Sequence, residues 1–278
     1  WQNMHGESDP VTAALALPTC TLNPPPMLRF PPQVFRQANL EGFTRIIREI
    51  RKWMNPRGNA NGCAGKCVEL YGGVGTIGLN VLDLVEELSC SDANPFNEKC
   101  FLRSCDGLSS SDAERARYST GGAADMALAG ELTGPVDVLI VDPPRKGLDE
   151  EVLEKLISGE EDPPLRILYV SCGFKAFGRD YKRLSSRYNV VHAEGHVLFP
   201  GSNHIETLCI FDRKDFKGTG RNHGMPPPPQ LPSAEASPNT HINTSKQILF
   251  LKNKNTTPTN KSKKKKKKKT KKKKKTKP

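Results

Sequence analysis

From Asn39 to Met54 the apolar residues Leu40, Phe43, Ile46, Ile47, Ile50, Trp53 and Met54 recur at the three- and four-residue spacing of one helix face, and Pro56-Arg57-Gly58 ends that helix. Beyond it, short apolar runs alternate with longer amphipathic stretches. Strands are expected at Cys67 to Tyr71, Ser89 to Asp92, Val136 to Val141 and Leu165 to Val170. Helices are expected over Thr76 to Leu88, Pro95 to Leu102, Glu150 to Ile157 and Phe174 to Tyr188. Val190 to Leu198 and Ile205 to Asp212 read as a closing strand pair, and residues 103–135 are weakly patterned, with one short strand near Arg117-Tyr118. Strands alternating with helices imply an α/β fold, a parallel sheet wound on both faces. A hairpin at the end makes its last strand antiparallel.

The flanks differ from this middle. Residues 1–29 are rich in proline and small residues and read as a linker, or the remnant of an N-terminal domain absent from this chain. The doubly wound domain is expected over 30–214, and 215–278, with the Pro226 to Pro229 run and a lysine-rich end, as a disordered tail. Charge follows this division. The formal net charge is +12, but fourteen lysines lie between Lys261 and Lys277, and without them it is −2. Overall basicity is therefore no argument for nucleic acid, although a lysine run can hold phosphate. No apolar run is long enough for a bilayer, so no membrane contact is expected. The chain is read as a monomer, and the sequence leaves chloroplast, cytoplasm and nucleus open. Eight cysteines contain no Cys-x-x-Cys pair, and Cys63 and Cys67 have no second ligand pair nearby. No metal site is expected, and most thiols read as small core residues in a reducing compartment.

The run Glu69-Leu70-Tyr71-Gly72-Gly73-Val74-Gly75-Thr76-Ile77-Gly78 joins an expected strand to an expected helix. Its glycines allow a tight turn and close approach of a ligand to the backbone. Asp92, twenty residues after Gly72, falls where a carboxylate can take the ribose hydroxyls of an adenosine. Gly73-x-Gly75-x-x-Gly78 also satisfies the dinucleotide fingerprint, so a nicotinamide enzyme and an S-adenosylmethionine enzyme both remain open on this segment. Glu69 leans toward the second, as an acid near the cofactor's ammonium.

Four further segments carry chemistry. Val34-Phe35-Arg36-Gln37-Ala38-Asn39 precedes the first helix, and Asp142-Pro143-Pro144-Arg145-Lys146-Gly147 follows the Val136 strand. Tyr169-Val170-Ser171-Cys172-Gly173 ends the next strand, and His204-Ile205-Glu206 opens the last. In order and position these segments and the glycine loop resemble the RNA (uracil-5)-methyltransferase family, whose motifs run F-x-Q-x-N, D-L-Y-C-G-x-G-T-F, D-P-P-R-x-G, Y-V-S-C-N-P and H-x-E. The likeness covers about residues 30–213, and details such as Ser-Cys-Gly-Phe look most like the plant and algal branch. Gly73 stands where the family has Cys, and Gly173-Phe174 where it has Asn-Pro. The family's N-terminal RNA-binding barrel and iron–sulfur cysteines are not visible.

The resemblance implies a class I methyltransferase (Rossmann-like) sheet, S-adenosylmethionine as cofactor and RNA, transfer or ribosomal, as partner. It implies Cys172 as nucleophile and Glu206 as base. Gln37, Glu69, Tyr71, Gly72, Gly73, Gly75, Asp92 and Asp142 are expected at the cofactor, with Arg145 and Gln37 toward the substrate. The chemistry agrees. Carbon 5 of uracil is too weak a nucleophile to take a methyl group unaided. A thiolate adding to carbon 6 makes an enolate, and a base must later remove the carbon 5 proton. Two other readings stand beside this one. Asp-Pro-Pro also serves amino-methylating enzymes, which need no cysteine, and a degenerate site would leave an RNA-binding protein without turnover.

Overall fold

The computed structural model describes residues 11–158, 162–202 and 204–217. The lysine-rich end and the Pro226 to Pro229 run lie outside the described residues.

The first strands, β1 (Val11–Ala13) and β2 (Leu28–Phe30), pair antiparallel as a two-stranded ribbon. Helix α1 (Leu40–Arg51) follows, capped by Asn39, whose side chain accepts from Gly42 N at 2.8 Å. Then come β3 (Ala64–Leu70), a 3-10 helix (Gly78–Leu84), β4 (Val85–Asp92), α2 (Pro95–Cys105), α3 (Ser110–Ala113), β5 (Ala116–Thr120) and α4 (Ala123–Leu128). The chain continues through β6 (Val136–Val141), α5 (Glu150–Ile157), β7 (Arg166–Ser171), α6 (Phe174–Leu184), β8 (Tyr188–His196) and β9 (Glu206–Arg213). Strands β3 to β9 form one sheet in the order β5-β4-β3-β6-β7-β9-β8, parallel except for β9, which runs antiparallel to both neighbours. The order reverses between β3 and β6, so a crevice opens beyond their carboxyl ends.

Alternate residues of each central strand feed two cores. Val138, Ile140, Leu168, Val170, Leu208 and Ile210 meet Ile46 and Ile50 of α1 and Phe101 of α2 on one face. Leu139, Val141, Ile167, Tyr169 and Phe211 meet Leu153 of α5 and Phe177 of α6 on the other. That is why β6 and β7 read as unbroken apolar runs: both faces are covered.

Three expectations are corrected. The helix expected over Thr76 to Leu88 is a 3-10 helix of seven residues, after which β4 begins at Val85, four residues before the expected start. The crossover is short, and a 3-10 helix rises about 2.0 Å per residue against 1.5 Å for an α-helix, so it spans the sheet with fewer residues. The helix expected to run to Tyr188 ends at Leu184, because Tyr188 is taken into β8, its hydroxyl donating to Pro164 O at 2.9 Å. The described part of the expected linker is docked. Leu15, Leu17, Leu22 and Leu28 are buried in the α1-side core. The buried Arg51 guanidinium fastens this segment, donating to Thr19 O and, through two nitrogens, to both oxygens of Asp83.

Candidate active site

At the carboxyl end of β3 the chain turns through Tyr71, in the left-handed region at φ 59°, into the glycine loop. Glu69, one residue before the end of the strand, is 1% exposed. One of its oxygens accepts from Gly78 N at 3.1 Å, the other from the Cys90 thiol at 3.1 Å. A Cβ on Gly78 would lie 2.3 Å from the Glu69 carboxylate, so only glycine allows this brace. Burial pushes the Glu69 pKa up to about 7, against the pull of these hydrogen bonds. Glu69 thus braces the glycine loop from within. Tyr71 is half-buried, its hydroxyl donating to the Asp149 carboxylate at 3.1 Å and accepting from Asp149 N at 3.0 Å, which ties the loop to the start of α5.

Gly73 and Asp92 remain at the open edge. Gly73 N donates to Asp92 Oδ2 at 3.1 Å, and Asp92 Oδ1 accepts from Asn94 N at 2.8 Å. Each oxygen keeps a second lone pair for a ligand hydroxyl. No atom lies within 4 Å of where a Gly73 Cβ would be, so the loop presents bare backbone there. Tyr118 on β5 steadies it from outside, its hydroxyl donating to Gly73 O at 2.9 Å. The residues present fit an adenosine-type cofactor: an acid for ribose, an exposed backbone turn and half-buried surroundings.

The second group gathers on the other side of the switch point. Asp142 follows β6, Cys172 follows β7 and Glu206 opens β9. In the β7–β9 ladder Ser171 stands opposite Thr207, so the next step outward sets Cys172 against Glu206. Burial raises the pKa of all three. Asp142 keeps part of its surface open yet is hemmed in by protein; burial and then the charges of Glu206 and Glu69 push it up to about 8. The Cys172 thiol is raised by burial, then by Glu206 and Asp142, with Arg145 acting against them. Burial raises Glu206, while His196 and Arg145 pull it down. Arg145 itself is exposed.

The supports of this group were not legible as motifs. Asp180 of α6 accepts from Leu148 N at 2.9 Å and from the Tyr169 hydroxyl at 2.7 Å, anchoring the Asp142–Leu148 loop to β7. Gly173, a departure from the family pattern, has a local reason. A Cβ there would lie 2.8 Å from Arg145 O, so glycine lets the cysteine loop rest on the Asp-Pro-Pro-Arg loop. His196 stands opposite Glu206 in the β8–β9 ladder, a relation that spacing alone does not reveal. Gln37 is half-buried on a strap between two anchors. Asn94 Nδ2 donates to Gln33 O at 2.9 Å at one end, and Asn39 Nδ2 donates to Leu198 O at 2.7 Å at the other. The strap thus runs from the β4 end of the sheet to the loop before Glu206.

Residues 134–214 match the model of the tRNA (Uracil-5-)-methyltransferase family. An uncharacterized RNA methyltransferase of Protochlamydia amoebophila is 37% identical over 185 residues, covering 66% of this chain and 45% of that protein. One of Staphylococcus epidermidis is 32% identical over 149 residues, covering 53% of this chain and 31% of its own. The chain thus spans less than half the length of these relatives. Among solved structures, the Pyrococcus abyssi tRNA (uracil-54, C5)-methyltransferase in complex with S-adenosyl-L-homocysteine superposes with a TM-score of 0.57 at 22% identity, covering 73% of this chain and 44% of that one. That likeness is one of fold, the class I methyltransferase sheet.

Proposed function

We propose that this chain, whose residues 134–214 match the model of the tRNA (Uracil-5-)-methyltransferase family, transfers a methyl group from S-adenosylmethionine to carbon 5 of a uridine in structured RNA, transfer or ribosomal, through a covalent adduct on Cys172. The carrying observation is the convergence of Cys172, Glu206 and Asp142 from three strands on the edge where the sheet order reverses. An amino-methylating site needs no thiol beside its Asp-Pro-Pro. The Ser-Cys-Gly-Phe loop favours the plant and algal branch.

S-adenosylmethionine, when bound, supplies an electrophilic methyl group. Asp92 would take its ribose hydroxyls, the Gly72–Gly75 turn would lie along it, and Gln37 on the strap would close over it. Glu69 and Tyr71 act at one remove, shaping the turn. Cys172 rests as a thiol; its proton passes to solvent, and the thiolate adds to carbon 6 of the uracil. The positive charge of Arg145 favours the thiolate. Asp142, with a pKa of about 8, is largely protonated at neutral pH and would donate a hydrogen bond to the enolate oxygen. Glu206, its pKa raised by burial, is the stronger base for it, and would take the carbon 5 proton so that the Cys172 thiolate can leave. Arg145, exposed at the rim, suits an RNA phosphate. A uridine stacked in a helix must be flipped out to reach Cys172.

The test uses RNA carrying 5-fluorouracil, in which fluorine replaces the proton that Glu206 would remove. The wild-type protein with S-adenosylmethionine should give a denaturation-resistant protein–RNA adduct that maps to the peptide of Cys172. Formation of 5-methyluridine in unmodified RNA while the fluorinated RNA gives no adduct, or an adduct on Cys67 or Cys105, would contradict the proposal.

A further inference from the structure

Strand β8 carries His192, Glu194 and His196 on alternate positions, and so on one face of the sheet. Their partners in β9 are Ile210, Leu208 and Glu206, and the first two belong to the α1-side core, so this row of polar residues looks toward α1. There it meets Glu49, a glutamate 8% exposed on that helix. Nε2 of His192 lies 3.4 Å from one Glu194 oxygen and 3.7 Å from one Glu49 oxygen. One ligand atom from each of the three residues falls within 4.8 Å of the others. His192 Nε2 is buried and, among the described residues, has no hydrogen-bond partner.

We propose that Glu49, His192 and Glu194 form a binding site for a divalent transition metal such as zinc, outside the methyl-transfer site. The donors are of the right kind: one imidazole nitrogen and two carboxylate oxygens, a set that zinc accepts. The spacing is right as well. Zinc holds nitrogen and oxygen ligands at about 2.0–2.2 Å, which for a tetrahedron separates the donors by roughly 3.3–3.6 Å. Of the distances from His192 to its two carboxylates, 3.4 Å falls within that range and 3.7 Å just beyond it.

The surroundings hold each ligand in place. The His192 ring stacks on Trp53, centroids 5.2 Å apart, which aims Nε2 at the carboxylates. Glu49 is held by Lys52 on one oxygen and by Trp53 Nε1 at 3.3 Å on the other. The second oxygen of Glu194 is bound by His196 Nε2 at 2.8 Å. The Lys52 and His196 bonds go to the oxygens turned away from His192 and are of the kind that orients metal ligands, while Trp53 Nε1 shares the Glu49 oxygen that faces His192. Two carboxylates and a neutral imidazole also balance the charge of a divalent ion. Bound there, the metal would clamp α1 to the edge of the sheet, and His196, bonded to Glu194, itself stands opposite Glu206.

The experiment is a zinc titration of untagged, metal-stripped full-length protein against a chromophoric chelator, with the zinc X-ray absorption edge recorded on the loaded protein. One equivalent of zinc should bind, with nitrogen and oxygen neighbours only. His192→Gln and Glu194→Gln should each weaken binding by at least about tenfold, while melting as the stripped wild type does. Zinc should raise the melting midpoint of the wild type and leave that of His192→Gln unmoved. A wild type that takes no zinc from the chelator, a sulfur shell at about 2.3 Å, or full binding by His192→Gln would overturn the proposal. None of these readouts requires methylation activity, so the site stands or falls apart from the proposed reaction.

Discussion

The two halves of the crevice both hold a carboxyl group with a raised pKa, and they use it oppositely. On the β3–β4 side Glu69 is sealed in, its oxygens taken by Gly78 N and the Cys90 thiol. It is part of the architecture, and the loop above it is prebuilt. On the β6–β7–β9 side Asp142 meets a second carboxylate and a thiol, with its surface partly open. Like charges close together raise one another's pKa and leave groups ready to exchange protons. A perturbed pKa alone therefore does not mark a reactive residue. Whether its partners are the protein's own donors or other reactive groups decides.

The sharpest way to break the reacting half is through its frame. The buried Arg166 guanidinium binds Asp212 through two nitrogens, at 2.6 and 2.8 Å, and Trp53 O at 2.9 Å, pinning β9 to β7 and both to the turn after α1. Asp212→Ala removes the carboxylate that faces this buried guanidinium and should cost about 3–5 kcal/mol of stability in denaturant titration. An unchanged midpoint would mean that the pair does not hold Glu206 beside Cys172.

The sealed half answers to pH. The folded pKa of Glu69, about 7, exceeds its ordinary 4.5, so its contribution to stability is present below about pH 4.5 and lost as pH rises through 7. A rise of this size corresponds to about 3 kcal/mol. Glu69→Gln should remove that part of the slope between pH 4.5 and 7.5. Parallel wild-type and mutant curves would show Glu69 to be charged and solvated.

Two smaller effects should separate the halves. Gly173→Ala puts a methyl against Arg145 O and shifts the Cys172 loop; turnover should fall by about 10²-fold with cofactor affinity unchanged. Asp92→Ala should do the reverse, weakening S-adenosylmethionine binding by about 1–3 kcal/mol in calorimetry while 5-fluorouracil RNA still reaches Cys172. Equal losses of both properties in either variant would mean that the halves are not separate.

Much of this was legible in the chain. The bounds of β6 and α5 match the apolar pattern, because a strand covered on both faces and a helix with one buried stripe leave unambiguous periods. The antiparallel β9 followed from a short hairpin connection. The 3-10 segment was not legible, since Val81, Leu82, Leu84, Val85 and Leu88 fit both a helix stripe and the entry to a strand. Nor were the partners of Glu69 and Tyr71, since spacing places a residue beside a loop but does not say what it bonds. The metal cluster escaped for another reason. Glu49 and His192 are 143 positions apart, and only the packing of α1 on the β8 edge joins them.

The central claim is that Cys172 and Glu206 act at different stages. The direct measurement is a denaturing gel of labelled substrate RNA with S-adenosylmethionine and each of two variants. Cys172→Ala should give neither 5-methyluridine nor adduct. Glu206→Gln should give no free product but accumulate a Cys172-linked, already methylated RNA adduct, because addition proceeds and proton removal does not. Loss of adduct in both variants, or undiminished methylation by Cys172→Ala, would contradict the account.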